Sequence, residues 1–216
     1  MGETQKTVPG GLVVFFEGID GVGKTTQLEL VAKELRNEGW GVQTARGHGG
    51  TPIGEKLREV SLSDTPRPVE TDLYMSLGMH KALAYEVDTF RARGQIVLID
   101  RGPLSIAGYQ MYGDGLDFEL GWKALAEDLG SFLPELNILY TAAVPVARQR
   151  ILQRADTKKS DYFESRPNGF FDAVQQGYME AASRFETTII DAEQPLDDVH
   201  GQTMATITKV INNKLD

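Results

Sequence analysis

One eight-residue stretch, Gly18-Ile19-Asp20-Gly21-Val22-Gly23-Lys24-Thr25, limits what this chain can fold into more than any other. It has the spacing G-x-x-x-x-G-K-[ST]. It joins an apolar run, Leu12–Glu17, to a segment of helical periodicity, Lys24–Asn37, in which Leu28, Val31, Ala32 and Leu35 share a face. The pattern needs these residue types for a physical reason. Gly18, Gly21 and Gly23 let backbone N–H groups turn inward around phosphate oxygens. Lys24 reaches the terminal phosphates, and Thr25 offers its hydroxyl to Mg2+. The helix that starts there adds the positive end of its dipole. The motif therefore demands a strand–loop–helix unit and implies nucleotide binding. By itself it leaves kinase, ATPase and switch GTPase open.

Four further apolar runs have the length of buried parallel strands: Gly41–Arg46, Ile96–Asp100, Leu136–Thr141 and Thr188–Asp191. Helical periodicity fills the intervals at Val69–Arg93 (with an interruption near Gly78), Phe118–Phe132, Pro145–Arg154, Phe170–Phe185 and Leu196–Lys214. Alternation of this kind predicts a three-layer α/β fold, a five-stranded parallel sheet flanked by helices. The 216 residues show no repeat or linker, so one domain over 12–216 is expected, preceded by a disordered segment over 1–11.

Charge narrows the partners. The chain carries 22 Lys and Arg against 31 Asp and Glu, a net −9, which disfavours a fold-wide grip on nucleic acid. It has no cysteine, which rules out disulfides, thiolate metal sites and a Cys nucleophile. No apolar run is long enough to span a bilayer and no leader pattern is visible, so the expectation is a cytoplasmic protein.

The end of the third predicted strand bears Asp100-Arg101, at the sheet edge where open α/β folds bind ligands. Asp100 is suited to a Mg2+ water and Arg101 to forked contact with a second phosphate. Arg46 closes the second strand at the same edge, so two phosphorylated ligands are expected. Residues 148–166 form a basic island: Arg148, Arg150, Arg154, Lys158, Lys159 and Arg166 outnumber Asp156, Asp161 and Glu164. Such an island suits a lid, about 154–167, that stabilises charge developing in phosphoryl transfer. His48, His80 and His200 have no ligand spacing and read as ordinary surface or core residues. Phe170, Phe171, Tyr178 and Phe185 recur at helical spacing and read as core.

Taken together, these blocks resemble the thymidylate kinase family of P-loop nucleoside monophosphate kinases. The resemblance spans Val13 to about Val210. It rests on Phe16-Glu17-Gly18-Ile19-Asp20 through Thr25-Thr26-Gln27, on Gly49-Gly50-Thr51-Pro52-Ile53-Gly54-Glu55, and on Asp100-Arg101 followed by Ser105 and Tyr109-Gln110. Phe170-Phe171, Gly177-Tyr178 and Ile190-Asp191-Ala192 extend it.

It implies ATP and Mg2+, a nucleoside monophosphate acceptor, and a homodimer. The implied ATP contacts are Gly18, Gly21, Gly23, Lys24, Thr25, Thr26, Arg150 and Ala192, with Thr25 and Asp100 at the metal. The implied acceptor contacts are Asp20, Arg46, Tyr74, Arg101, Ser105 and Tyr109, with Tyr74 stacking on the base. Lys24, Asp20, Arg101, Lys158 and Lys159 would carry catalysis. Gly21 stands where some members have a P-loop arginine, which places the catalytic cations in the lid.

Several positions depart from the family pattern. Arg46 is followed by Gly47-His48 rather than Glu-Pro, and Gly102 follows Asp100-Arg101 where an aromatic or His is usual. Gly78 and Ile106 replace a base-reading arginine and a small polar residue. The implied activity is transfer of the ATP γ-phosphoryl to dTMP or a close relative, through a base pocket relaxed by Gly78 and Ile106. His48 is a candidate to replace the lost contacts. A kinase of the same build with another acceptor, and a non-catalytic switch, are the competing readings.

Overall fold

A computed structural model of the chain describes residues 5–129, 134–154 and 166–216. At its centre lies β1 (Leu12–Glu17), whose every residue is buried. β3 (Ile96–Asp100) and β4 (Leu136–Thr141) pair with it on either side. β2 (Val42–Arg46) and β5 (Thr187–Asp191) form the edges, and all pairs are parallel in the order β2-β3-β1-β4-β5. Apolar side chains on both faces of β1 give two cores. Val14 and Phe16 enter the larger one, while Val13 and Phe15 pack with Val97, Ile99, Leu83 and Val87.

The order also locates the ligand crevice. The chain leaves β1 for the β2/β3 side and returns later to the β4/β5 side, so a crevice opens above the carboxyl end of β1. In register, Phe16 and Arg46 both lie opposite Asp100, which brings the three strand ends level at that crevice.

The helices begin and end for local reasons. α1 (Lys24–Asn37) buries Leu28, Val31, Ala32 and Leu35, and its first residue follows Gly23 with no side-chain cap. α2 (Pro52–Ser61) escaped the sequence reading, although its signals are standard. Thr51 caps it by accepting from Gly54 N at 3.0 Å, and Pro52 opens it. α3 (Val69–Arg91) runs unbroken through Gly78, contrary to the expected interruption. A Cβ at Gly78 would come within 3.3 Å of Leu57 Cδ1, so this glycine admits α2 close against α3.

The apolar positions of α3, among them Leu73, Leu77, Leu83 and Val87, are buried within the monomer. Tyr74 and Tyr85 are the large apolar side chains that α3 exposes.

After β3 the chain forms a short α4 (Pro103–Ile106) that widens into a π-helical stretch, Ala107–Gly113. Gly102, just before it, lies against Phe15: a Cβ there would meet the ring at 2.2 Å, so the usual aromatic has no room. α5 (Phe118–Leu129), α6 (Val144–Arg154), α7 (Asn168–Ala182) and α8 (Leu196–Leu215) complete the flanking layers.

One expectation fails before β1. Residues 6–11 are not loose: Lys6 N donates to Gly39 O at 2.8 Å, Gly41 N to Lys6 O at 3.0 Å, and Val8 N to Gly94 O at 2.7 Å. The completely buried Val8 explains this, because its burial fixes the backbone between two turns. Among the described residues no helix is long and apolar enough to cross a membrane.

Candidate active site

Asp20 and Arg101 meet in the crevice although 81 residues separate them. Asp20 sits in the loop after β1, and Arg101 follows β3 directly. Arg101 Nη2 donates to Asp20 Oδ1 at 2.5 Å, and Tyr109 OH donates to Asp20 Oδ2 at 3.1 Å. The guanidinium lies 4.9 Å above the Tyr109 ring and 3.3 Å from Tyr178 OH. Burial pushes the Asp20 carboxyl up, but the charges of Arg101 and Lys24 outweigh it and hold the group far below the usual carboxylate range. Arg101 is likewise kept fully charged: burial opposes its charge, and Asp20 together with Tyr109, Tyr178 and Asp100 more than restores it. The result is a fixed cation beside a fixed anion, which can bind a second anion on the free edges of the guanidinium.

The phosphate loop lies alongside. Lys24 is buried, donates from Nζ to Ile19 O at 2.9 Å, and stands 3.9 Å from Asp20 Oδ1. Burial, followed by repulsion from Arg101, lowers its pKa, and Asp20, Asp100 and Glu17 pull the other way. Thr25 Oγ1 donates to Asp100 Oδ2 at 2.6 Å, while Asp100 Oδ1 is buried without a hydrogen-bond partner. An orphaned carboxylate oxygen beside a threonine hydroxyl is a donor set that fits a hard divalent cation. α1 has no acidic residue in its first turn, so the first N–H groups of the helix face the crevice uncontested. Gly21 has φ 88°, and a Cβ there would come within 2.1 Å of Ala147 O, so the loop touches the first turns of α6 directly. Gly18, Gly23 and Thr26 complete the loop.

Beneath these groups lies Glu17, the last residue of β1 and fully buried. It accepts from Leu104 N at 2.9 Å and from Ser105 Oγ at 2.6 Å, and Ser105 pairs in turn with Tyr178 OH at 2.7 Å. Tyr178 OH also donates to Gly18 O at 3.1 Å. Burial raises the Glu17 pKa from 4.5 to about 7, against the lowering effects of Ser105 and Arg101. One hydrogen-bond chain thus joins the end of β1, the start of α4 and the Asp20–Arg101 pair.

Asp20, Arg101, Ser105 and Tyr109 open onto a cavity whose far wall holds Ser76, His80, His48, Ile106 and Gln110. Here the structure corrects the sequence reading. Tyr74 is 65% exposed and takes no part in the lining, and Gly78 faces Leu57. The reason is helical phase: residues 76 and 80 share a face, and 74 lies about 200° away from 76. The expected stacking aromatic and the expected void are therefore both absent from this wall.

The histidines matter more than expected. Burial and neighbouring cations hold His48 down at about 3, and burial holds His80 at about 4, so both are neutral at physiological pH. The missed signal was a polar row, Asp72, Ser76 and His80, at i, i+4 and i+8 along a helix whose other buried positions are apolar.

The remaining candidates lie around this centre. Arg46 lines the adjoining groove with Thr25 and Asp100 and pairs with Glu55 at 2.5 Å. Ala192 is buried and donates to Thr141 O at 2.8 Å. Arg150 is partly buried on α6. Lys158 and Lys159, with the body of the expected lid, lie outside the described residues. Arg148 and Arg166, at the ends of the basic island, are linked through Arg148 Nη1 and Arg166 O at 2.7 Å. Arg166 also pairs with Asp114 at the same distance.

A family model described as thymidylate kinase matches residues 16–203. A thymidylate kinase of Paracidovorax citrulli is 34% identical over 206 residues, covering 90% of this chain and 91% of its own. That of Burkholderia vietnamiensis is 36% identical over 202 residues, covering 89% and 95%. That of Geobacillus thermodenitrificans is 31% identical over 203 residues, covering 91% and 89%.

Proposed function

The chain belongs to the thymidylate kinase family, and from that premise we propose that it transfers the γ-phosphoryl group of ATP to dTMP, yielding ADP and dTDP. The observation that carries this reading is the adjacency of two anion sites: the Lys24 loop on one side and the Asp20–Arg101–Tyr109 cluster on the other. A switch GTPase has no use for the second site.

The roles follow from chemistry. Gly18, Gly21, Gly23, Thr26 and the first N–H groups of α1 cradle the ATP phosphates, and Lys24 neutralises the terminal ones. Thr25 and Asp100 would hold Mg2+, which supplies positive charge to the phosphate oxygens when bound. Arg101 and Arg46 hold the acceptor phosphate, while Asp20 and Tyr109 orient it with its sugar. Phosphoryl transfer has a loose transition state with little covalent demand on the protein, so positioning and charge dominate. Lys158 and Lys159 supply lid cations, and Arg150 with Ala192 borders the adenine. Ser105 fixes the acceptor side through Glu17 and Tyr178.

The proposal extends to a single domain that takes in residues 6–11 as well as 12–216, with a lid about 154–167, a cytoplasmic location, and a homodimer formed through the face of α3 that bears Tyr74 and Tyr85. A coupled ADP-release assay with ATP, Mg2+ and a panel of nucleoside monophosphates tests the activity. Turnover with dTMP is expected, and absence of turnover with every monophosphate would overturn the reading.

A further inference from the structure

Beside the apolar Leu62 and Ile106, the cavity that faces the Asp20–Arg101 pair is lined by four polar side chains that share one chemical property. Ser76 is 2% exposed, and its Oγ has no hydrogen-bond partner among the described residues. His80, one turn along the same face of α3, is 4% exposed, and Gln110 on the π-helical stretch is 3% exposed. His48 comes from the β2–α2 connection, and its Nε2 pairs with Ser61 Oγ at 3.3 Å. All four line one cavity, together with the acceptor-side residues Arg101 and Tyr109.

A hydroxyl, a neutral imidazole and a primary amide share a property that an arginine lacks: each can donate or accept. The hydroxyl rotates, the imidazole exchanges tautomers, and the amide turns over. The held-down pKa values of His48 and His80 keep both rings in the neutral form for which this is true. Arg58, also on the wall, donates to the His48 carbonyl at 2.9 Å and is donor-only. Directed at the 2-carbonyl, which thymine and cytosine share, a donor-only arginine does not discriminate between them; directed at position 4, it favours the keto ring.

Thymine and cytosine differ at the ring edge, where one presents N3–H with a 4-carbonyl and the other a bare N3 with a 4-amino group. A donor-only reader leaves a buried group unpaired against the wrong edge and rejects it steeply. Groups that reverse roles leave none unpaired.

We propose that Ser76, His80 and Gln110 form a reversible base-edge reader, which makes the enzyme a kinase of pyrimidine 2′-deoxynucleoside monophosphates that accepts a 4-amino as well as a 4-keto ring. The inference rests on the kinase reading for its catalytic consequence and on the cavity alone for its binding consequence.

Two measurements separate the cases. Calorimetric Kd values for dTMP and dCMP, with no ATP present, test the reader directly. Ratios within about 200-fold are expected and a larger ratio overturns the proposal. In the coupled assay, kcat/KM for dTMP and dCMP should differ by no more than the same factor. If both monophosphates bind comparably and neither is phosphorylated, the kinase reading falls and the reader stands.

Ser76→Ala and His80→Ala identify the residues. Each should weaken binding of both monophosphates by about 3–10-fold and raise KM more than it lowers kcat. A lowered kcat with unchanged Kd would mark the pair as merely structural and overturn the assignment. Because His80→Ala opens a space in the core, His80→Gln keeps the test valid: it should restore affinity for both bases to within about 3-fold of the parent chain.

Discussion

Arg101 holds Asp20 from a backbone conformation that few residues adopt. Its φ is 70°, the one positive value at a non-glycine position among the described residues, and from there Nη2 reaches Asp20 Oδ1 at 2.5 Å. A left-handed arginine costs of order 1–3 kcal/mol and persists only where the surroundings fix it. Here Asp20, Tyr109 and Tyr178 all bind the guanidinium. Strain at the residue proposed to grip the acceptor phosphate fits a preorganised site.

Asp20→Asn should therefore do more than lose one contact. It removes the charge that offsets Arg101 and Lys24, two cations in one pocket. We expect kcat/KM for dTMP to fall at least about 100-fold with secondary structure retained, by coupled assay and circular dichroism. A loss smaller than about 5-fold would show that the pair is an ordinary ion pair.

Lys24→Ala should lower kcat by at least about 100-fold, because no other group in the loop can neutralise the terminal phosphates. The lysine is buried and bonded to Ile19 O, so a modest fall in Tm should accompany the loss. Near-normal kcat in a folded variant would remove the loop from the mechanism.

Much of this was legible in the sequence, and what was missed has physical causes. The three inner strands are nearly continuous apolar runs, as strands buried on both faces require, and all five strands start within one residue of their expected positions. The phosphate loop is local, so its spacing alone places it. The acceptor side is assembled from α3, the β2–α2 connection and the π-helical stretch, and no spacing relates them. Reading Tyr74 and Gly78 as the inward pair was an error of helical phase. A shift of two residues turns a helix by about 200° and exchanges its inside for its outside.

Changing Lys158 and Lys159 together to Ala should lower kcat more than it raises KM for the acceptor, since lid cations act on charge that develops during transfer. A fall of at least about 10-fold in kcat is expected from steady-state kinetics. Unchanged kcat would make the basic island a solvated surface.

Glu17 should give the fold a pH signature. Its folded pKa is raised from 4.5 to about 7 by burial, so the native chain retains a proton that the unfolded chain releases. Its contribution to stability is complete below about pH 4.5, declines as the pH rises through 7, and is lost above. Glu17→Gln stays neutral throughout. The Tm of the parent chain minus that of Glu17→Gln should fall by at least about 4 °C between pH 5 and pH 8, by scanning calorimetry. A flat difference would mean that the carboxyl is ionised in the fold at every pH tested.

Because Gly21 abuts the Ala147 carbonyl, any side chain at that position must first displace α6. A lineage with this packing has no single-substitution route to a phosphate loop that carries its own arginine. Every such intermediate would lose the loop's shape before gaining the new charge. Position 21 is thereby committed to glycine, and any further cation for the phosphates has to come from elsewhere in the chain.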